Sequence, residues 1–427
     1  MKNFLLLFPA FAALILTAAP AKIITAVEPA GMSVKFSGKI SSGDDVPAGT
    51  KVLYEEFVNG IRKRHGFIKL DEEITLTYKM AAPGWYMAKV SMVDNGGRPV
   101  VIPGRESGES RGVMIAPEKI PSSLEKPADF DEFWDSRRKL LDKVPVKELT
   151  RREIKERSND NYAVYEVKVA CAGSMPMTGI LTVPRNAKER SLSAFVFFQG
   201  AGVATAVPFG GLGKDAITLM VNAHGIDNLR EKSYYSDLQK GKLSGYPHFN
   251  KDDREKIYFH DMFLRVMRAL DYVKTLPEWN GKVLVVRGGS QGGAQAIVAA
   301  AMDKQVTMLI AEVPAMCDHN GFFAKPARRC GWPVFYGFDR KMPQVMQTVS
   351  YYDMVNFASR VHCETFITAG LTDMISVPVG VVCAYNAIPA GKKSLLIHPT
   401  GGHVSTQRDR EFLRKMLDRL TEHLLKQ

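Results

Sequence analysis

Cysteine is scarce in this chain of 427 residues. There are five, an odd number, and no two of them have Cys-x-x-Cys spacing. So few cysteines in a chain of this length exclude a disulfide-stabilised scaffold, and at least one thiol stays unpaired within the chain. The missing Cys-x-x-Cys spacing also argues against a zinc or redox motif. Cysteine chemistry therefore does not explain what this protein does.

Long apolar runs are missing as well, except at the N-terminus. Lys2 precedes an apolar stretch over residues 4–16, which is followed by the small-residue site Ala19-Pro20-Ala21. This pattern is typical of a cleaved secretory signal, and the stretch is shorter than the roughly 20 apolar residues that span a membrane. We therefore predict a signal peptide over residues 1–21 and a secreted or periplasmic protein that has no membrane partner.

Positive charge is abundant but not concentrated. The formal net charge is +12, yet lysine and arginine are spread along the chain and form only short runs such as Arg62-Lys63-Arg64. A nucleic-acid-binding protein concentrates its basic residues in a patch or along one helix. We therefore expect no nucleic-acid partner.

Two kinds of hydrophobic pattern divide the remaining chain. Over residues 22–117 short strands alternate with turns, and the alternation of Met32, Val34 and Phe36 buries one face of a strand. This region predicts a small accessory β-sandwich of the immunoglobulin-like type. Proline and serine at residues 116–126 indicate a linker.

Over residues 118–427 the pattern changes to alternating strands and helices. Continuous apolar runs at residues 193–198 and 282–286 predict strands that are buried on both faces. Apolar residues at steps of three and four predict a helix over residues 258–276. Such alternation predicts an α/β fold, with a mostly parallel sheet flanked by helices.

The most informative segment is Gly288-Gly289-Ser290-Gln291-Gly292, which follows a buried strand and precedes a helix rich in small residues. This is the G-x-S-x-G pattern in the strand–turn–helix context of an esterase nucleophile. Gly288 and Gly292 leave room for the sharp turn, and Gly293 allows the helix to approach the sheet. A phosphate-binding loop is disfavoured because the Gly-Lys-Ser/Thr ending is missing. We predict that Ser290 is the nucleophile.

A nucleophilic serine needs a histidine base and a carboxylate that orients the base, and in this fold they follow in the order acid, then histidine. His403 lies in a glycine-containing loop after the last predicted strand, whereas His398 ends that strand. Asp373 lies in the loop after an earlier strand. Its competitors are Asp353, which resembles a helix cap, and Asp318. We predict His403 as the base and Asp373 as the acid.

An oxyanion hole needs two backbone N–H groups, one of them from the residue after the nucleophile, here Gln291. The second is expected in the loop after an earlier strand, where Gln199-Gly200-Ala201-Gly202 fits. We predict the Ala201 N–H. The alternative is that this segment is simply a glycine-rich exit from a strand.

These residues lie in ordered blocks that resemble the acetyl xylan esterase and cephalosporin-C deacetylase family, the seventh family of carbohydrate esterases. The resemblance begins near Lys126-Pro-Ala-Asp-Phe-Asp-Glu-Phe-Trp134 and continues through the Ser290 segment, Gly370-Leu-Thr-Asp373 and Gly402-His403. It implies an α/β-hydrolase fold and removal of acetyl groups from small xylo-oligosaccharides and related compounds, without a metal or another cofactor. It also implies assembly with further copies of the chain, often in rings.

The chain departs from the family pattern at several places. Gln199-Gly200-Ala201 replaces the usual His-Gly-Tyr stretch, and His224-Gly225-Ile226 replaces Arg-Gly-Gln. A smaller residue at 201 enlarges the expected acyl pocket, so an esterase for a larger acyl group, such as an aromatic acid on hemicellulose, is one alternative. An inactive glycan-binding relative is the other, and the β-sandwich motivates it.

Overall fold

A computed structural model describes residues 22–104, 106–123, 125–208, 216–336, 342–389 and 391–404, together with residues 411 and 415. The predicted signal peptide, residues 1–21, lies outside this part of the chain. All five cysteines lie inside it, and none of them forms a disulfide. Within the same residues, no helix is both long and apolar enough to cross a membrane.

The N-terminal part forms two small antiparallel sheets. One has the strand order β1-β2-β5 and the other β4-β3-β6-β7. The strands are β1 (Lys22–Ala30), β2 (Ser33–Ser41), β3 (Lys51–Val58), β4 (Ile61–Lys69), β5 (Glu73–Lys79), β6 (Gly84–Val93) and β7 (Gly108–Ile115). Their inner faces share one apolar core, which includes Val34, Phe36, Val52, Tyr86, Val90 and Met92. Alternation of buried and more exposed residues, which is clearest along β2, explains why a two-layer β structure forms here.

The rest of the chain builds one nine-stranded sheet in the order β16-β15-β14-β13-β11-β12-β10-β9-β8. The strands are β8 (Glu148–Glu153), β9 (Tyr162–Val169), β10 (Met177–Pro184), β11 (Leu192–Phe198), β12 (Ala216–Val221), β13 (Trp279–Gly289), β14 (Met308–Glu312), β15 (Glu364–Gly370) and β16 (Lys393–His398). Strands β12, β11, β13, β14, β15 and β16 are parallel, and β10, β9 and β8 are antiparallel.

Helices cover this sheet. They are α1 (Phe130–Asp142), α2 (Lys232–Lys240), α3 (Tyr258–Lys274), α4 (Gln291–Met302), α5 (Pro343–Ser350), α6 (Met354–Ala358) and α7 (Pro378–Ala387). The main core lies between α1, α3, α4, α6 and α7 and one face of the sheet. Helix α4 is rich in glycine and alanine and is buried almost throughout, so it packs closely against the strands. The architecture confirms the predicted class, a mostly parallel α/β sheet preceded by small antiparallel sheets.

The β-sandwich is attached to the large sheet through one face of β6 and β7, a contact that the sequence did not predict. The fully buried Trp85 belongs to the main core, and its indole Nε1 donates a hydrogen bond of 3.0 Å to the Leu371 carbonyl. The Gly112 N–H donates to the Pro399 carbonyl at 3.0 Å. A Cβ on Gly112 would lie 2.3 Å from the Leu371 carbonyl oxygen, so only glycine permits this approach. Leu371 and Pro399 belong to the loops that follow β15 and β16.

Replacing Trp85 with alanine tests how strongly this contact holds the two parts together. The change leaves a cavity at the junction and removes the bond to Leu371, so we expect the free energy of unfolding to fall by about 3–5 kcal/mol. Urea denaturation measures the loss. The matched control is Phe67→Ala on the same sandwich, because Phe67 is 55% exposed and its loss should change stability by less than about 0.5 kcal/mol. Equal effects of the two variants would show that Trp85 does not anchor the sandwich.

Candidate active site

Ser290 is the single residue between a strand and a helix at the carboxyl edge of the parallel sheet. Strand β13 ends at Gly289 and α4 begins at Gln291, so Ser290 forms the whole turn. Its backbone has φ 55° and ψ −123°, a conformation that side-chain-bearing residues rarely adopt. Two hydrogen bonds hold it there, since the Ser290 N–H donates to the Glu312 carbonyl at 2.9 Å and the Ala315 N–H donates to the Ser290 carbonyl at 3.0 Å. Such strain is common at functional sites.

The glycines around Ser290 allow backbone segments to come closer than a side chain would permit. A Cβ on Gly288 would lie 2.2 Å from the Gly292 carbonyl oxygen, and a Cβ on Gly292 would lie 2.2 Å from the Phe198 carbonyl oxygen. A Cβ on Gly293 would lie 3.0 Å from Pro314 Cα. Gly288 and Gly292 thus close the turn and bring α4 against the end of β11, and Gly293 brings α4 towards the segment after β14.

The loop after β11 is fixed to α4 by glutamine side chains. Gln295 Nε2 donates to the Gln199 carbonyl at 2.8 Å, and Gln291 Nε2 donates to the Gly200 carbonyl at 3.4 Å. The Tyr246 hydroxyl donates to Gln291 Oε1 at 2.6 Å, which fixes the orientation of the Gln291 amide. The two predicted oxyanion residues, Gln291 and Ala201, therefore belong to segments that are bonded to each other.

Among the described residues, neither of the two predicted N–H groups has a backbone acceptor, so both can donate to a ligand. The Gln291 N–H is in the first turn of α4, where backbone N–H groups have no acceptor within the helix. The Ala201 N–H has no backbone acceptor among the described residues. Ala201 is also exposed to solvent. The positive end of the α4 dipole adds to the attraction of a negative charge at this point.

His224 forms a hydrogen bond to the same loop. Its Nε2 lies 3.0 Å from the Gly202 carbonyl and its Nδ1 lies 2.6 Å from the Tyr258 hydroxyl. Burial lowers the pKa of His224 to about 4, so the ring is neutral near pH 7. Because a carbonyl can only accept, the proton is on Nε2, and Nδ1 accepts a hydrogen bond from Tyr258. A neutral, buried histidine thus fixes the carbonyl of Gly202, the residue that directly follows Ala201.

Asp373 is completely buried and its carboxylate is held on both oxygens. Oδ1 accepts hydrogen bonds from the Ile375 N–H at 2.7 Å and the Ser376 N–H at 2.9 Å. Oδ2 lies 2.9 Å from His403 Nδ1. The carboxylate therefore has one orientation, with one oxygen assigned to the imidazole of His403.

The loops that carry Asp373 and His403 are joined along their backbones. The Leu371 N–H donates to the His398 carbonyl at 2.8 Å, and the Thr372 N–H donates to the Gly401 carbonyl at 2.9 Å. A Cβ on Gly370 would lie 2.4 Å from the Gly401 carbonyl oxygen, so this approach also depends on glycine. The structure thus brings Asp373 and His403 together at the carboxyl edge of the sheet, where Ser290 follows the end of β13.

The alternative residues have structural roles. Asp353 caps α6, and its carboxylate accepts hydrogen bonds from the Val355, Asp318 and His319 N–H groups. Asp318 forms an ion pair of 3.2 Å with Arg328. Helix capping therefore accounts for Asp353, and an ion pair accounts for Asp318. Sequence reasoning did not assign a role to Gln295, Tyr246 or His224, because nothing in their local sequence shows that they contact a loop far away along the chain.

Comparisons with known proteins found matches both in sequence and in fold. The family model described as "Acetyl xylan esterase (AXE1)" matches residues 118–416. An acetyl esterase of Xylanibacter ruminicola, Axe7A, is 31% identical over 305 residues, which are 69% of this chain and 67% of that protein. Acetyl xylan esterases of Paenibacillus and Thermoanaerobacterium superpose with a TM-score of 0.60 each at 23% and 19% identity. They cover 71% and 73% of this chain and 98% and 97% of their own. These superpositions establish the α/β-hydrolase fold.

Adding one methyl group at Gly292 tests the close approach behind this site. Because a Cβ there overlaps the Phe198 carbonyl, Gly292→Ala should push α4 and the Gln291 N–H away from the loop of Ala201. We expect kcat/KM on 4-nitrophenyl acetate to fall about 100-fold or more, the size of a lost oxyanion donor. Gly289→Ala is the matched control, since its Cβ would have no neighbour nearer than 3.8 Å. Similar activities of the two variants would contradict this account.

Proposed function

The chain belongs to the acetyl xylan esterase family and is a carboxylic ester hydrolase, and from this premise we propose that it removes acetyl groups from acetylated saccharides by a Ser290–His403–Asp373 mechanism. The single observation that supports the proposal most strongly is the Asp373–His403 hydrogen bond of 2.9 Å at the sheet edge where Ser290 forms its strained turn. A histidine oriented in this way can act as the base of a serine nucleophile.

In the first half of the reaction, Ser290 Oγ attacks the ester carbonyl while His403 Nε2 accepts its proton. Asp373 Oδ2 accepts the hydrogen bond from His403 Nδ1–H and stabilises the imidazolium that forms. The carbonyl oxygen becomes negative, and the N–H groups of Gln291 and Ala201 bind it. The imidazolium then protonates the leaving alkoxide of the sugar, which departs and leaves an acetyl group on Ser290.

In the second half, water replaces the sugar. His403 removes a proton from the water molecule, which attacks the acetyl carbonyl of the acyl-enzyme. The same two N–H groups bind the second oxyanion, and His403 returns the proton to Ser290 Oγ as acetate leaves. No step needs a metal or another cofactor.

An extracellular or periplasmic location suits this substrate. The pattern of Lys2, the apolar residues 4–16 and Ala19-Pro20-Ala21 supports export. Intact polysaccharides are too large to enter a cell, so their ester groups are removed outside the cytoplasm. We therefore include secretion or periplasmic location in the proposal.

Variants of the triad test the mechanism. Ser290→Ala removes the nucleophile and should lower kcat on an acetylated xylo-oligosaccharide by about 10⁴-fold or more. Asp373→Asn should lower kcat by about 10⁴-fold, because His403 then favours the wrong tautomer. Acetate release measures both. The matched control is Ser233→Ala, which alters an exposed serine in α2. If Ser290→Ala kept wild-type turnover, Ser290 would not be the nucleophile.

Acyl-chain profiling tests the acetyl preference. Wild-type enzyme is assayed with acetyl, butyryl and feruloyl esters of one alcohol, and we expect the highest kcat/KM for acetyl. Ala201 provides the reason for the comparison, because it is exposed where a tyrosine is usual in the family pattern. A preference for feruloyl or butyryl esters would replace the acetyl assignment with one for a larger acyl group.

A further inference from the structure

One face of β6 changes character along its length. Tyr86, Ala88, Val90 and Met92 point into the sandwich core, so Trp85, Met87, Lys89 and Ser91 lie on the opposite face. Trp85 and Met87 are buried in the main core against the large sheet. Lys89 and Ser91 are only half-buried. The face that attaches the sandwich therefore continues beyond the attachment as a polar surface.

Strand β7 repeats this change in register with β6. At the apolar end, Met114 is opposite Trp85 and Gly112 is opposite Met87. At the polar end, Ser110 is opposite Lys89 and Gly108 is opposite Ser91. Met114 packs on the main core and Gly112 contacts Leu371. Ser110 is half-buried. The two strands together thus form an apolar attachment followed by a polar wall.

This polar wall faces the loops of the candidate active site across a cleft of about 870 Å³. Lys89, Ser91 and Ser110 line one side, and Thr372, Thr400 and Gly402 line the other. Thr372 directly precedes Asp373, and Gly402 directly precedes His403. The volume is within the range of about 300–1,000 Å³ that is typical of ligand sites. The cleft exists because the sandwich is attached beside the catalytic histidine.

We infer that this cleft binds the saccharide portion of the ester, so that the N-terminal sandwich forms one wall of the substrate site. The inference depends on the proposed function and adds the position of the sugar. The imidazole that protonates the leaving oxygen must contact the alcohol side of the ester, so the sugar lies beside the His403 loop. The acyl group lies on the other side of the scissile bond.

The lining suits a neutral, hydroxyl-rich ligand. Serine and threonine hydroxyls both donate and accept hydrogen bonds, and the Lys89 ammonium donates. Arg111 and Glu109 also line the cleft; they form an ion pair of 2.6 Å with each other, and Arg111 donates to Thr25 Oγ1 at 3.0 Å. The remaining charged residues of the lining are Lys89 and Glu106, so its positive and negative charges balance in number, and its serine and threonine hydroxyls can donate to and accept from a neutral ligand.

Blocking the cleft tests the inference. Ser110→Trp places a large ring in it, and kcat/KM is measured for an acetylated xylo-oligosaccharide and for 4-nitrophenyl acetate in the same preparation. We expect the ratio of the two values to fall at least tenfold, and Lys89→Met to lower it in the same direction. Because both substrates share one preparation, an unfolded fraction cancels from the ratio. The control Lys35→Trp changes an exposed residue of β2 and should leave the ratio unchanged.

The outcomes separate this inference from the proposed function. A wild-type enzyme that hydrolyses 4-nitrophenyl acetate but no acetylated saccharide would overturn the proposed substrate. A wild type that hydrolyses the saccharide, with Ser110→Trp and Lys89→Met both within twofold of its ratio, would overturn the cleft alone. A fall in the ratio in both variants, with none in Lys35→Trp, would support it.

Discussion

The close approach of backbone segments around Ser290 is the constraint on which the site depends. Ser290 keeps a positive φ because Gly288 and Gly292 remove the Cβ atoms that would separate β13, α4 and the end of β11. With those segments in contact, the Gln291 N–H starts a helix that is bonded through Gln295 and Gln291 to the loop of Ala201. The proposed nucleophile and the proposed oxyanion donors are therefore positioned by one packing arrangement, before any substrate binds.

A second constraint comes from outside the large sheet. The loops of Asp373 and His403 are bonded to each other through Leu371, Thr372 and their partners. Trp85 and Gly112 of the sandwich then bond to Leu371 and Pro399 in the same loops. Loops at the edge of a sheet are usually its most mobile parts. Here a separate β structure is hydrogen-bonded to them, so the sandwich restricts the motion of the loops that carry Asp373 and His403.

Much of the fold could be predicted from the sequence where burial imposes a clear period. The strand at Met308–Glu312 and the helix at Tyr258–Lys274 follow directly from their apolar patterns. Strand β1 has only a weak signal in the sequence, because one of its faces is exposed throughout and the other is only partly buried. Strand β4 likewise has a weak apolar pattern, since charged residues occupy much of its length. Edge strands such as these gain their order from pairing, which composition does not record.

The candidate site shows the same division. Ser290, Asp373 and His403 could be proposed because each follows a buried strand or a glycine turn, and the structure brings the last two within hydrogen-bonding distance. Trp85 and Gly112 could not be proposed, because their roles depend on contacts with Leu371, more than 250 residues away along the chain. The role of His224 likewise depends on its hydrogen bonds to Gly202 and Tyr258, which local sequence does not show. Packing between distant segments decides such roles.

A crystal structure of the enzyme after reaction with an alkyl fluorophosphonate tests the central claim most directly, because the phosphonyl group on the nucleophile mimics the tetrahedral intermediate. We predict a covalent bond to Ser290 Oγ and a phosphonyl oxygen about 2.7–3.1 Å from both the Gln291 and the Ala201 backbone nitrogens. A phosphonyl group on another residue, or an oxygen that contacts neither nitrogen, would contradict the account.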